Sequence, residues 1–326
     1  MADVTIIGAG VAGLCVAHML LRAGLTPRVI DRNGAPGSHG CSWWAGGMLA
    51  PFCEGAVAEP AIVVHGQTAA AFWSEVTAVT HRGTLVLALH RDLGELDRFS
   101  RRTSGHYRVT DIAALEPELA HHNAALFFAA EAHLDPRRAL ADLTRTLTAR
   151  GVRIEQAEAT PEDINGPVID ARGMAAGLPG LRGVRGEMLV LRAPDINLSR
   201  PVRLLHPRHP FYIVPRGDGV FMLGATQVES ADRRGVSARA VLELLSAAYA
   251  LDVRFAEAEV LETGADLRPA FTDNVPRVVV RAGASNHPVL HLNGLFRHGY
   301  LMAPALARQA TDYLTKGIKG DLIHAD

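Results

Sequence analysis

The stretch VTIIGAGVAG at residues 4–13 decides the fold of this protein. Its first four residues predict a buried strand, and a glycine-rich turn then opens an apolar helix. A second apolar strand follows and ends at Asp31, which completes the order strand, turn, helix, strand, acid of a G-x-G-x-x-G nucleotide-binding unit. Gly8 permits the tight turn, Gly10 lets a pyrophosphate approach the backbone, and Gly13 lets the helix press on the sheet. Because the whole unit is present, a glycine turn that binds nothing is a poor interpretation.

The start of this helix is a phosphate site, because its free amides and its positive dipole end both favour anions. Asp31 can accept hydrogen bonds from both ribose hydroxyls of an adenosine and would repel a 2′-phosphate. FAD and NAD both fit such a unit, so these residues alone leave the cofactor open. The predicted nucleotide contacts are Gly8, Gly10, Val11, Ala12, Gly13 and Asp31.

The bulk composition is that of an ordinary globular protein of one large domain or two. A net charge of −1 over 326 residues gives no reason to expect nucleic acid or an anionic membrane as a partner. The three cysteines, Cys15, Cys41 and Cys53, are an odd number without metal-type spacing, which favours a reducing compartment. With the first strand so close to residue 1 and no membrane-length apolar run, we expect no signal peptide and a cytoplasmic protein.

Two segments rich in predicted strands interrupt the nucleotide fold. The second contains a hairpin, in which strands 211–215 and 220–223 flank the turn Arg216-Gly217-Asp218-Gly219. Between the two segments, a helix capped by Asp135 and ended by Gly151 returns the chain to the first domain. We therefore predict an α/β fold with a Rossmann-like nucleotide-binding domain interleaved with an antiparallel-sheet α+β substrate domain. The predicted ranges are 1–75, 130–180 and 265–326 for the first domain, and 76–129 and 181–264 for the second.

Motifs for other chemistries are missing from the sequence. It has no P-loop and no G-x-S-x-G elbow, and no second glycine fingerprint follows a strand and opens a helix. His206 and His209 lie in a predicted loop without a completing cysteine or acid, so we predict no metal site. One nucleotide site is the economical count, which disfavours an enzyme with separate FAD and NADPH folds.

Three residues outside the fingerprint could hold a carboxylate: Arg268, Arg297 and Tyr212. A guanidinium donates two parallel hydrogen bonds to a carboxylate, and a tyrosine hydroxyl can add a third. Each charged bond contributes about 1.5–3 kcal/mol, enough to orient a small substrate. For any single arginine, however, spacing alone favours a surface ion pair.

Six short motifs, taken in order, resemble the FAD-dependent D-amino-acid oxidase superfamily, and within it the glycine oxidases of thiamine biosynthesis (the ThiO group). The resemblance spans the chain, and the order of the motifs makes it specific. They are the fingerprint with Asp31-Arg32, the loop 42–51 (SWWAGGMLAP), Arg185-Gly186-Glu187-Met188, the hairpin 212–216 with Gly224-Ala225-Thr226, Leu267-Arg268-Pro269, and Phe296-Arg297-His298-Gly299 with Ala303-Pro304.

This resemblance implies FAD rather than NAD, and a substrate carboxylate held by Arg268 with help from Tyr212. It places Arg297 near both substrate and flavin, and it places residues 299–302 in a turn that faces the flavin ahead of a helix starting at Pro304. We predict a non-covalent cofactor, because no cysteine lies beyond Cys53. The implied cofactor contacts are Arg32, Gly46, Gly47, Met48, Gly173, Arg297, Gly299, Tyr300, Leu301 and Met302.

The implied activity is oxidation of a small amine, glycine first, with O₂ as acceptor. The products would be an imine and hydrogen peroxide, and the pathway would be synthesis of the thiamine thiazole. Members of the superfamily are often homo-oligomers, and the sequence leaves the oligomeric state of this chain open. Gln227, Leu295 and His298 depart from the family's usual residues, which bears on the choice of substrate.

Three other functions keep some of these features. A D-amino-acid or sarcosine-type dehydrogenase would share the fold and pass electrons to an acceptor other than oxygen. A non-catalytic flavin- or nucleotide-binding protein would hold a cofactor that no small amine reduces. An NAD-dependent dehydrogenase would be colourless.

Overall fold

The computed structural model describes residues 3–206, 211–283 and 287–325, and His209 lies outside them. The described strands lie in three sheets. In chain order they are β1 Val4–Ile7, β2 Pro27–Asp31, β3 Met48–Leu49, β4 Val79–Thr80, β5 Thr84–Ala88, β6 Tyr107–Val109, β7 Ala125–Phe128, β8 Ala132–Leu134, β9 Ile154–Gln156, β10 Val168–Asp170, β11 Arg182–Arg192, β12 Val202–Leu205, β13 Phe211–Gly217, β14 Val220–Gly224, β15 Val228–Glu229, β16 Glu259–Ala270, β17 Arg277–Ala282, β18 Pro288–Asn293 and β19 Ile323–Ala325.

The described helices range from one turn to five turns. They are α1 Val11–Arg22, α2 Pro51–Glu54, α3 Pro60–Gly66, α4 Ala69–Ser74, α5 Leu93–Arg102, α6 Pro136–Ala149, α7 Ala238–Leu251 and α8 Gly299–Lys316.

The smaller of the two large sheets has the order β19-β17-β18-β10-β1-β2-β9. Its interior strand β1 runs parallel to both neighbours, with Ile6 level with Val29 on one side and Ile169 on the other. These positions are apolar and buried, as expected for a parallel sheet covered on both faces. The parallel strands carry their carboxyl ends to one edge, which is where ligands bind in open α/β sheets.

The larger sheet has the order β15-β11-β14-β13-β12-β5-β7-β6, and β16 pairs with β11 beside this path. The β11–β16 pair is antiparallel and long, running from Arg182 opposite Ala270 to Arg192 opposite Glu259. Together the two large sheets give the mixed α/β architecture that the sequence predicts. Because β16 crosses residue 265 within one continuous strand, it connects the two predicted domains, whose boundaries stay a prediction.

The turn between β1 and α1 explains the glycines of the fingerprint. Gly8 has a φ of +109°, and a Cβ there would lie 2.5 Å from the carbonyl oxygen of Ala171, just beyond β10. A Cβ on Gly13 would lie 1.8 Å from the Gly8 carbonyl oxygen. The helix can therefore sit against the strand ends only if both positions lack a side chain.

The predicted helix after Asp135 is confirmed as α6. The Asp135 carboxylate accepts hydrogen bonds from the amides of Arg137 at 2.8 Å and Arg138 at 3.3 Å, which satisfies two otherwise unpaired donors of the first turn. Pro136 at the first helical position has no amide hydrogen to satisfy.

The predicted turn over residues 299–302 was wrong. Gly299 begins α8, and Pro304 lies inside the helix rather than at its start. Pro304 is the sixth helical residue and has no amide hydrogen, so the carbonyl of Tyr300, four residues earlier, lacks its usual helical donor. This carbonyl instead accepts a hydrogen bond from the Trp73 indole N–H at 2.8 Å. A side chain more than two hundred residues away thus replaces the hydrogen bond that the proline cannot make.

The three cysteines are free thiols, in agreement with their spacing. Across the described ranges, no group of histidine, cysteine, aspartate or glutamate side chains is arranged to hold a metal ion. Within the same ranges, no helix combines the length and apolar character needed to cross a membrane.

Candidate active site

A cavity of about 1240 Å³ is lined by the ends of β1, β2 and β10 on one side and by the larger sheet on the other. It exceeds the range of about 300–1,000 Å³ that suits drug-sized ligands, so it has room for a dinucleotide together with a small substrate. Every predicted site residue lines it except Gly13, which supports the turn from behind, and Met302, which is buried in α8.

The nucleotide end of the cavity is organised by Asp31. Its Oδ2 accepts a hydrogen bond from the Ala9 amide at 2.8 Å, and its Oδ1 accepts one from the Asn33 amide at 2.8 Å. The carboxylate therefore braces the glycine turn as well as facing the cavity. Each oxygen keeps a second lone pair, which leaves acceptor capacity for ribose hydroxyls.

Two helix N-termini face this cavity. Val11 and Ala12 of α1 line it, and Gly10 gives α1 no side-chain cap. Gly299 and Leu301 of α8 line it as well, and their amides belong to a first turn without intrahelical acceptors. The cavity thus has two positive dipole ends, one suited to phosphates and one suited to a ring that gains negative charge on reduction.

The candidate carboxylate receptor combines Arg268 of β16 with Tyr212 of β13. The missing side chain of Gly186 on the neighbouring strand leaves room for the Arg268 guanidinium in its present position, since a Cβ there would lie 2.2 Å from the Arg268 Cζ. Its Nη1 donates to the Thr226 carbonyl at 3.1 Å, and no carboxylate among the described residues pairs with it. Burial lowers the pKa of Arg268, and the nearby Arg297 adds to this effect. An arginine keeps its proton even so, which leaves the charge in need of a partner.

A second charged group surrounds Glu54, the last residue of α2 and only 5% exposed. Its carboxylate pairs with Arg203 of β12, lies 3.1 Å from the Nη2 of Arg297, and lies 3.5 Å from the Nδ1 of His298. Burial by itself would raise the pKa of Glu54, but Arg297 and Arg203 hold it well below its usual range. Glu54 is therefore ionised and serves as the shared counter-ion of two guanidiniums.

His298 is neutral in this setting. It is 4% exposed, and burial lowers its pKa to about 4, with Arg297 and Arg203 acting in the same direction and Glu54 opposing them. His298 is also the N-cap residue of α8, although its imidazole makes no capping hydrogen bond, so its backbone lies at the helix end that faces the cavity.

The structure brings the three predicted carboxylate-binding residues, Arg268, Arg297 and Tyr212, to one cavity. It also adds partners that the sequence analysis missed. Glu54 and Arg203 are 149 positions apart, so no local spacing could pair them. The available signals were a charged residue closing the apolar stretch after Met48, and an arginine inside the apolar strand β12. Gln227 and Leu295, the two departures from the family, also line the cavity.

Residues 3–313 match the protein family described as FAD dependent oxidoreductase (DAO). The chain belongs to this family. The cofactor prediction of FAD is thereby confirmed, and the contact roles of individual residues stay predictions.

Relatives within the family support the same assignment. A protein of Rhizobium etli, named provisionally as the thiamine biosynthesis oxidoreductase ThiO, is 52% identical over 308 residues, which is 92% of each chain. Among solved structures, the glycine oxidase of Bacillus cereus superposes with a TM-score of 0.82 at 21% identity, over 99% of both chains. The iminodiacetate oxidase of Chelativorans sp. superposes with a TM-score of 0.81 at 22% identity, again over 99% of both. The two solved structures establish the fold.

The donor set of the cavity fits FAD. The side-chain-free turn at Gly8 and Gly10, the start of α1 and the lone pairs of Asp31 suit an adenosine diphosphate. Gly46, Gly47 and Met48 line the same cavity, as does the start of α8, and their contacts with the flavin stay predictions.

We predict that Glu54→Gln costs about 3–5 kcal/mol of unfolding free energy, because it leaves Arg203 and Arg297 without their shared counter-ion. Urea unfolding at pH 7 measures this loss. Glu155→Gln is the matched control, since its pair with Arg28 is exposed and should contribute less than about 1 kcal/mol. Equal effects of the two substitutions would contradict the counter-ion role.

We predict that stability falls as the pH drops from about 6.5 to about 4, partly through His298. The unfolded chain binds a proton to this histidine in that window and the folded chain does not, so the unfolded state is favoured as the pH falls. Between pH 7 and pH 5, the contribution is about 2 kcal/mol. His298→Asn should reduce the difference between urea unfolding free energies at these two pH values by that amount. An unchanged difference would show that the histidine titrates normally in the fold.

Proposed function

We propose that this protein is an oxidase of a small amino acid, with glycine as the preferred substrate. The observation that carries the proposal is the Arg268 guanidinium, which faces the cavity beside Tyr212 and has no carboxylate partner among the described residues. A substrate carboxylate supplies that partner, and the fork of Arg268 fixes its orientation through two parallel hydrogen bonds. The 52% identical relative named for thiamine biosynthesis supports a role in making the thiazole.

The charges around the cavity favour a neutral amine on the substrate. Arg268 has no carboxylate partner among the described residues, and Arg297 is close enough to lower the pKa of Arg268. The positive charge of these two guanidiniums disfavours an ammonium group nearby. The amine proton can leave to water, so no side chain needs to act as a base.

FAD supplies the acceptor for a hydride from the substrate Cα. The chain's own contribution is positioning: Arg268 and Tyr212 hold the carboxylate end, so that the Cα–H bond keeps one direction. The N-terminal amides of α8 stabilise negative charge that develops in the cavity. Oxygen as acceptor, an imine and hydrogen peroxide as products, non-covalent FAD, a cytoplasmic location and homo-oligomer formation belong to the same proposal.

Anaerobic mixing of the purified protein with glycine, sarcosine or D-alanine tests the proposal. We expect glycine to remove the absorbance of the oxidised flavin fastest, and we expect hydrogen peroxide once air is admitted. Reduction without peroxide would instead show a dehydrogenase that uses another acceptor. A flavin that none of the amines reduces would show a non-catalytic binding protein.

We predict that Arg268→Met raises the KM for glycine by about 100-fold or more, since two charged hydrogen bonds to the carboxylate are lost. The flavin should stay bound, because in this proposal Arg268 binds the substrate and not the cofactor. Arg192→Met is the control, because Arg192 is exposed, pairs with Glu259 at 3.3 Å and does not line the cavity. Loss of the yellow colour in Arg268→Met, or an equal rise of KM in the control, would show that Arg268 does not hold the carboxylate.

A further inference from the structure

Residues 40–47, which we name the strap, form part of the cavity wall. Every strap residue except Trp43 lines the cavity. The strap begins with one 3₁₀ turn, Cys41–Trp44, and ends in two glycines. A segment this rich in small residues has little packing of its own, so its position depends on what holds it from outside.

Hydrogen bonds from α1, α8 and β13 hold the strap along its backbone and at the Ser42 hydroxyl. The Ser42 hydroxyl accepts a hydrogen bond from the Val11 amide at 3.1 Å, and the Ser42 carbonyl lies 3.0 Å from the Tyr300 hydroxyl. Arg216 donates to the carbonyl oxygens of Ala45 at 3.0 Å and Gly46 at 3.1 Å. These contacts fix the path of the strap and leave its two tryptophan side chains unexplained.

Arg137 of α6 contacts both tryptophan side chains of the strap. Its guanidinium lies 4.7 Å from the ring centroid of Trp43 and 5.3 Å from that of Trp44. The same guanidinium donates both Nη atoms to Glu262 of β16, at 2.7 and 2.9 Å. Arg137 therefore joins the strap to a helix on one side and to a strand of the larger sheet on the other.

The larger sheet is shaped to receive the strap. A Cβ on Gly264, two residues after Glu262 on β16, would lie 2.1 Å from the Trp44 ring, so the indole lies directly on the strand backbone. The Trp44 indole N–H donates to the Ser38 carbonyl at 2.9 Å. The Trp44 indole thus packs against β16, with the Arg137 guanidinium 5.3 Å from its ring centroid.

We propose that Arg137 is a positioning residue for the cofactor: through Trp43, Trp44 and Glu262 it holds the strap in the cavity wall against FAD. A wall that is already ordered binds without a further loss of conformational freedom, which slows release of the cofactor. Arg137 takes no part in the hydrogen bonds made by Ser42, Ala45 and Gly46, so we expect these bonds and the fold to persist when Arg137 is replaced. The strap should then be held less firmly in the cavity wall. The inference rests on the family's cofactor and does not depend on which amine is the substrate.

The rate at which the holoenzyme loses FAD after dilution, followed by the rise in fluorescence of the released flavin, measures cofactor retention. Arg137→Met should speed release by at least about tenfold, the gain that an ordered wall gives to binding. Arg138→Met is the matched control on the same helix, since Arg138 is exposed and lies 3.6 Å from Asp142; its release rate should stay within about twofold. Arg137→Lys keeps the charge but loses the planar fork, so its rate should approach that of Arg137→Met.

Trp43→Leu tests the same contact between Arg137 and the strap by removing the strap's side chain. Trp43 does not line the cavity, so its loss removes no direct contact with the cofactor. We expect faster release in this variant, and we expect the double variant with Arg137→Met to release little faster than either single one, because both remove the same contact.

A purely structural role predicts a different pattern. In Arg137→Met, the temperature at which the holoenzyme releases flavin should fall more than the temperature at which its circular dichroism is lost. Equal falls with an unchanged release rate would overturn the proposal, as would additive effects in the double variant. If Arg137→Met does not fold, Trp43→Leu and Glu262→Gln provide the same comparison of release against unfolding.

Discussion

The contact between Gly13 and the Gly8 carbonyl is the constraint on which the other features depend. A side chain at either position would push α1 away from the ends of β1 and β10. With both absent, the helix start lies directly at the carboxyl edge of the sheet, and the cavity opens there. The pairing of α1 with α8 then places the second helix start at the same cavity, since these helices pack against each other through a buried core.

Charge is the second constraint, and it is handled differently at the two ends of the cavity. At the nucleotide end, the positive groups include the backbone amides at the start of α1, which suit a phosphate, and the guanidinium of Arg32. At the other end, they are guanidiniums, and a guanidinium removed from water requires a counter-ion. Glu54 fills that need for Arg203 and Arg297, whereas Arg268 has no carboxylate partner within the described ranges. The proposed function therefore depends on Arg268.

Local rules were reliable wherever one short segment decides its own structure. The cap at Asp135 satisfies amides two and three residues away, and the hairpin turn at residues 216–219 joins two strands that pair with each other. The same rules failed at α8, where Pro304 resembles a helix start only if its environment is ignored. The indole of Trp73 compensates the lost hydrogen bond there.

The sequence by itself determined the nucleotide-binding unit, the family and the arginine and tyrosine that face the cavity, because short motifs in fixed order carry that information. Only the tertiary structure decided which charges meet. Glu54 reaches Arg203 and Arg297, and Arg137 reaches Trp43 and Glu262, across separations of about one hundred residues or more. The physical reason is that ion pairs and stacked rings depend on distance in space, and strand order in the two sheets sets that distance.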